Sequence, residues 1–154
     1  MSVRSAPLES QALRTVAGDR WPTLRDEVLA ELRQAAACSP SGIGAIFVDE
    51  GLLDDAIAVA DSAPYAYAMV EQVADAAIQT HPDWVIRMGR QQAERIMDGG
   101  KARYYHHAVA WLRRNRATAL GAGRQDDWRR YVDGLLLQHA RKYSLVPQLK
   151  QLRA

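Results

Sequence analysis

Between Trp128 and Tyr143 the apolar and aromatic residues share one period. Trp128, Tyr131, Val132, Leu135, Leu136, His139 and Tyr143 fall at i, i+3, i+4, i+7, i+8, i+11 and i+15. On a helix of 3.6 residues per turn this spacing draws a single stripe, whereas a half-buried strand needs strict alternation. Arg129, Arg130, Asp133, Gln138, Arg141 and Lys142 lie between them and supply a wet opposite face. Upstream, Tyr104, Tyr105, Ala108, Trp111, Leu112 and Ala119 repeat the pattern. Gly121 and Gly123 bracket Ala122 there, and a glycine just past a helix can take the left-handed backbone of a tight helix end. Asp126 and Asp127 suit the first turn of the second helix, where the dipole favours anions. So short a link between two long stripes predicts an antiparallel hairpin, with Trp111, Trp128, Tyr131 and Leu135 as its inner seam.

The preceding chain carries weaker versions of the same plan. Ser5 to Val16 reads as a first helix, and Gly18-Asp19 breaks it. Trp21-Pro22 opens a second, since Pro is tolerated in a first turn; its stripe is Trp21, Leu24, Val28, Leu32, Ala35 and Ala36. Ile43 to Glu50 suits a short helix or a strand; the helix is preferred because the next segment completes a helical pair with it. After Gly51, residues Leu52, Leu53, Ala56, Ile57 and Ala60 keep helical spacing. A short helix, a Gly turn and an Ala-rich helix form the unit of tetratricopeptide-like repeats, in which small residues let two backbones approach. Tyr65 to Thr80 buries Ala66, Met69, Val70, Val73, Ala74 and Ala77. Pro82 to Asp98 is the next helix, with Gly89 in its middle. Glycine there costs about 1 kcal/mol relative to Ala, which a close approach to a neighbouring helix explains. Ser144 is placed to cap a last short helix.

The C-terminal stretch resembles the helical region of bacterial SWIM zinc-finger family proteins. Their aromatic-x-x-Ala-x-x-(Trp/Leu)-Leu, Gly-Arg-x-x-x-Trp-x-x-Tyr-x-x-x-Leu and Arg-Lys-x-x-Leu patterns are met by Tyr105, Ala108, Trp111, Leu112, Gly123, Arg124, Trp128, Tyr131, Leu135, Arg141, Lys142 and Leu145. The likeness fades upstream but extends through GLLDDAIAVA and the early WPTLRDEVLAEL, and so over most of the chain. It implies a tetratricopeptide-like helical region. The zinc-binding module of such proteins needs Cys-x-Cys followed by Cys-x-His, and Cys38 is the single cysteine here, so no binding role of that module carries over.

Composition agrees with one soluble helical domain spanning residues 1–154. Phe, Thr and Ile are scarce while Ala, Leu and Arg are plentiful, which favours helix over sheet. One cysteine excludes an internal disulfide framework and fits a reducing cytoplasm. No apolar run approaches the ~20 residues of a membrane span. The net charge of +2 conceals a split. Residues 1–98 hold 8 Lys and Arg against 15 Asp and Glu, a net of −7; residues 99–154 hold 12 against 3, a net of +9. Such a split lets acidic and basic surfaces of neighbouring hairpins face each other, or lets a second copy bind head-to-tail.

No catalytic or metal-binding constellation emerges. His106 and His107 are adjacent, about 100° apart around a helix, and neither has a ligand partner at i+3 or i+4. His139 on the apolar stripe reads as a hydrogen-bonded core or interface histidine, and His81 as a loop residue. Asp49-Glu50, Asp54-Asp55 and Asp126-Asp127 sit at helix ends beside glycine, where dipole and capping roles account for them. Gly121 to Arg124 follows a helix rather than a strand, the wrong setting for a phosphate loop. The strongest surface candidate is basic: Arg113, Arg114, Arg116, Arg124, Arg129, Arg130, Arg141 and Lys142. Side by side they would bind phosphates in a salt-dependent way. With the Trp and Tyr residues assigned to the core, stacking on single strands is disfavoured.

The expectation is therefore an all-α chain of antiparallel helical hairpins stacked as a short tetratricopeptide-like α-solenoid. It would act as a non-catalytic scaffold for protein–protein interaction, without cofactor, metal or membrane. The alternative is a nucleic-acid-associated accessory protein using the basic hairpin of residues 101–142.

Overall fold

Proline and glycine set most of the element boundaries. The computed structural model describes residues 21–35 and 39–154; the expected helix from Ser5 to Val16 lies outside them, as does Ala36. Among the described residues there are eight α-helices and no strand. They are α1 Trp21–Ala35, α2 Pro40–Asp49, α3 Leu53–Ser62, α4 Tyr67–Ala77, α5 Pro82–Asp98, α6 Tyr105–Gly121, α7 Gln125–Gln138 and α8 Val146–Arg153, with a 3-10 turn Ala102–Tyr104 before α6. Of the ambiguous segment Ile43 to Glu50, residues 43–49 are helical and Glu50 is the C-cap. Their apolar run is buried through Ile43, Ile46 and Phe47, so tertiary burial decides for helix over the β-rich local composition.

The chain divides into two compact units, one ending at Ala77 and one beginning at Ile78. The charge split at residue 98 lies beyond that boundary, so the whole basic excess falls in the second unit. In the first unit, α2 packs on both α3 and α4, and α1 rests on α2. The buried face of α4 is Met69, Val70, Val73, Ala74 and Ala77, as the spacing predicts, while Ala66, expected on the same face, precedes the helix and is half-buried. Helix α1 departs from expectation. Leu24 and Ala35 are exposed, and Leu29, off the expected stripe, is the buried contact. Val28 and Leu32 of the expected stripe are half-buried.

In the second unit the closest pair is α5 with α6, and α8 folds back on α7. The expected hairpin of α6 with α7 is thus the junction between two hairpins. The reason lies in residue size. Gly89 and Ala93 on α5 face inward, as do Ala108 and Ala119 on α6, which lets α5 and α6 approach closely. A Cβ built on Gly89 would lie 2.6 Å from Cγ of Asn115 and nearer still to its Oδ1. Asn115 is buried and donates its amide Nδ2 to the Ile86 carbonyl at 3.1 Å, so the side chain that fills the glycine notch is also tied to the opposite helix.

Gly123 ends α6 in the left-handed region, at φ 73°. The Arg124 N–H donates to the Ala119 carbonyl at 2.8 Å, and the Gly123 N–H to that of Leu120 at 3.1 Å. These two bonds satisfy carbonyls that the helix end leaves open. Trp111, Leu112, Trp128, Val132 and Leu135 form the core of this unit, and burial stabilises each of the aliphatic ones by about 1.5–3 kcal/mol.

Helix α7 stops at Gln138, one turn before the stripe would reach Tyr143, and Tyr143 is 84% exposed. Leu145 takes the buried place instead. The turn is fixed by Lys142, whose Nζ donates to the Met97 carbonyl at 2.6 Å and to Nδ1 of His139 at 2.8 Å. A cation on the last carbonyls of α5 complements the negative end of that helix. Tyr104, also assigned to a buried stripe, is exposed because it lies in the 3-10 turn before α6. Ser144 does not cap α8, whose N-cap position is Leu145.

Candidate functional site

Helices α5 and α7 lie on either side of α6 and are joined by long side chains. Between them opens a cleft of about 840 Å³. Asn115 and Ala119 of α6 line its base. From α5 come Asp83, Arg87, Arg90 and Glu94, at i, i+4, i+7 and i+11, so one helix face delivers all four. The facing wall carries Arg124 at the start of α7, then Asp127, Trp128, Arg130 and Tyr131. The first unit has a smaller cleft of about 420 Å³, lined by Phe47, Val59 and Tyr65 with the Arg33–Asp55 pair at its side.

The arginines of the larger cleft differ in how they are held. Arg124 pairs with Asp83, and Arg130 with Asp127 at 3.1 Å. Both acids are well exposed, at 80% and 63%, and exposed ion pairs stabilise little. Arg90 is different. Its guanidinium carbon sits 4.1 Å from the centroid of the Tyr131 ring, and its Nε is buried without a hydrogen-bond partner among the described residues. Tyr131 is itself anchored, its hydroxyl donating to Glu94 Oε1 at 3.0 Å. Burial first, then the Glu94 carboxylate, pushes the Tyr131 phenol well above its ordinary range, so the ring stays neutral. Of the four cleft arginines, Arg90 is stacked and makes no ion pair within 4 Å among the described residues, while Arg124 and Arg130 are loosely paired.

The eight residues of the expected basic surface have different surroundings. Arg113, Arg129 and Arg141 are exposed. Arg114 stacks on Trp111 at 4.5 Å, and Arg116 donates to the Ala154 carbonyl at 2.7 Å. Arg124 and Arg130 belong to the cleft, and Lys142 caps α5. Of the four expected seam residues, Trp111, Trp128 and Leu135 are buried while Tyr131 is half-buried at the cleft. Trp128 also donates its Nε1–H to the Leu152 carbonyl at 2.8 Å, which fastens α8 onto α7.

His139 is buried, as its stripe position implies. Its Nδ1 accepts from Lys142, which directs the remaining proton of the neutral ring to Nε2, 3.9 Å from Asp98. Desolvation, then Lys142, lowers its pKa; Asp98 and Glu94 act the other way. His106 and His107 are exposed with ring centroids 3.9 Å apart. No group of three metal-ligating side chains occurs among the described residues.

Arg87 and Arg90 were not among the expected surface residues, although the signal is present. The Asp83-Arg87-Arg90-Glu94 series runs along α5 beside its buried face, and it is overlooked when charge is counted only by chain half. No family model, curated protein or solved structure matches the chain. No helix among the described residues is long and apolar enough to cross a membrane.

Proposed function

We propose that this chain is a non-catalytic helical-repeat scaffold that binds a partner protein, with the α5–α7 cleft as the receiving surface. The observation that carries this reading is Arg90, held by stacking on Tyr131 in an open cleft while making no ion pair of its own among the described residues. Paired helical hairpins that leave a polar groove are a general means of holding an extended partner segment. Two of the carboxylates considered for acid–base chemistry are in ion pairs: Asp55 with Arg33 at 2.8 Å, and Asp127 with Arg130. The resemblance to the SWIM zinc-finger family's helical region fits an accessory role of this kind.

The test is capture of partners from the native host on the purified chain, comparing wild type with Arg87→Glu/Arg90→Glu. We expect at least one protein to be retained in stoichiometric amount by the wild type alone and to rebind when both components are pure. If no protein reconstitutes with the pure chain, the scaffold reading is wrong.

A nucleic-acid-associated role is the second reading. Two exposed tyrosines favour it: Tyr104, over which Arg103 lies at 4.8 Å, and Tyr143, two residues after Arg141 in the chain. Such neighbours suit stacking on unpaired bases. Absence of any oligonucleotide mobility shift at low ionic strength removes this reading.

A further inference from the structure

We propose that the α5–α7 cleft reads side-chain carboxylates on an acidic, extended segment of a partner protein, and that Arg90 is the residue that selects for them. The inference rests on the scaffold reading and supplies the chemistry of its partner.

The cleft brings Arg87, Arg90, Arg124 and Arg130 together against Asp83, Glu94 and Asp127, an excess of one positive charge. A duplex or a long phosphate backbone favours a continuous field of cations, which three interspersed carboxylates interrupt. A peptide whose acids are spaced along an extended backbone meets a mixed surface better, because each carboxylate can address one arginine. Arg90 is poised for such a contact. The planar fork of a guanidinium fits a carboxylate, and stacking on an aromatic ring holds that plane in place before the ligand arrives. Tyr131 provides the ring, and its bond to Glu94 fixes it. Of the three cleft carboxylates, Glu94 has one oxygen engaged by the Tyr131 hydroxyl and makes no ion pair with Arg90 within 4 Å.

The flanking arginines add reach. Arg124 and Arg130 are held by exposed acids, so exchanging Asp83 or Asp127 for a ligand carboxylate loses little. Cations on both walls favour several acidic side chains over one terminal carboxylate, which would satisfy Arg90 and leave the others as they are.

The experiment is fluorescence anisotropy on the full chain with three labelled probes: a Glu-rich peptide, the same peptide with Gln for every Glu, and single-stranded oligothymidylate. We expect the Glu-rich peptide to bind and to weaken with added salt. Arg90→Gln should weaken it about ten- to hundredfold, as expected for a lost charge-assisted bidentate contact. Arg90→Lys, which keeps the charge but not the plane, should also weaken it, and helical circular dichroism should confirm that both variants fold. Arg113→Gln and Arg129→Gln, away from the cleft, should change affinity less than about threefold.

Equal binding of the Gln peptide overturns the carboxylate assignment. Oligothymidylate binding that depends equally on Arg90 makes the cleft a phosphate reader and overturns the choice of partner. An Arg129→Gln loss as large as that of Arg90→Gln reduces the effect to diffuse charge. If no probe binds while a captured protein still requires Arg87 and Arg90, the carboxylate inference falls and the scaffold reading stands.

Discussion

Replacing Gly89 by alanine should destabilise the second unit, against the helix propensity of the two residues. Propensity alone favours Ala in a helix interior by about 1 kcal/mol. The added Cβ, however, would stand 2.6 Å from Cγ of Asn115, where ordinary contact begins near 3.4 Å. Asn115 cannot retreat freely, because it is buried and bonded to the Ile86 carbonyl. Either α5 and α6 separate, at an overpacking cost of about 1–3 kcal/mol, or Asn115 leaves its place and the unit loses a buried hydrogen bond worth about 1 kcal/mol. If the helices separate, the overpacking cost less the propensity gain leaves a net loss of up to about 2 kcal/mol. For a cooperative unit of 60–100 residues that lowers Tm by up to about 16 °C. Urea titration followed by tryptophan emission in a Trp21→Phe background reads this unit directly, since the other three tryptophans, Trp84, Trp111 and Trp128, are buried in it. Asn115→Ala in the Gly89→Ala background should restore part of the loss, with a coupling of about 1 kcal/mol or more in the double-mutant cycle. A stabilised Gly89→Ala protein, or strict additivity of the two changes, refutes the notch-and-amide contact.

Three further perturbations test other parts of the structure. Gly123→Ala forces a Cβ into left-handed backbone and should cost about 1–2 kcal/mol in denaturant titration, with Gly123→Asn milder. Trp128→Phe removes the buried bond to the Leu152 carbonyl and should cost about 1–2 kcal/mol, with hydrogen exchange rising first in α8. For His139 the folded pKa lies below the unfolded value of 6.5, so as pH falls the unfolded chain takes up the proton first. The stability due to its neutral form is complete above about pH 6.5 and is lost as pH falls toward the folded pKa. Tm should therefore drop between pH 7.5 and pH 5.5 in the wild type and respond much less in His139→Gln. An equal drop in both removes His139 as the cause.

Much of the fold is legible in the residues. Pro82 and the Gly99-Gly100 pair bound α5 at the residues observed, and the α4 stripe names its buried face. These are local matters: a proline forbids the preceding geometry, a glycine pair ends a helix, and a 3.6 period marks a buried side. The presence of a tight contact at Gly89 is equally legible, because an interior glycine needs a reason. Which residue fills the notch is not, since Asn115 lies on another helix and no spacing rule connects them.

The remainder was decided by tertiary packing. Periodicity carries the α7 stripe on to Tyr143, yet Lys142 reaches back to α5, the chain turns, and Leu145 is buried instead. Charge counting treats eight cations alike, yet Arg114 lies on an aromatic ring, Arg124 pairs with a carboxylate and Lys142 binds a helix end. The cleft draws on residues from Asp83 to Tyr131, spread over α5, α6 and α7. A single sequence encodes the face of each helix through local period, but which faces meet depends on side-chain volume and long-range polar contacts, quantities that only the packed chain brings together.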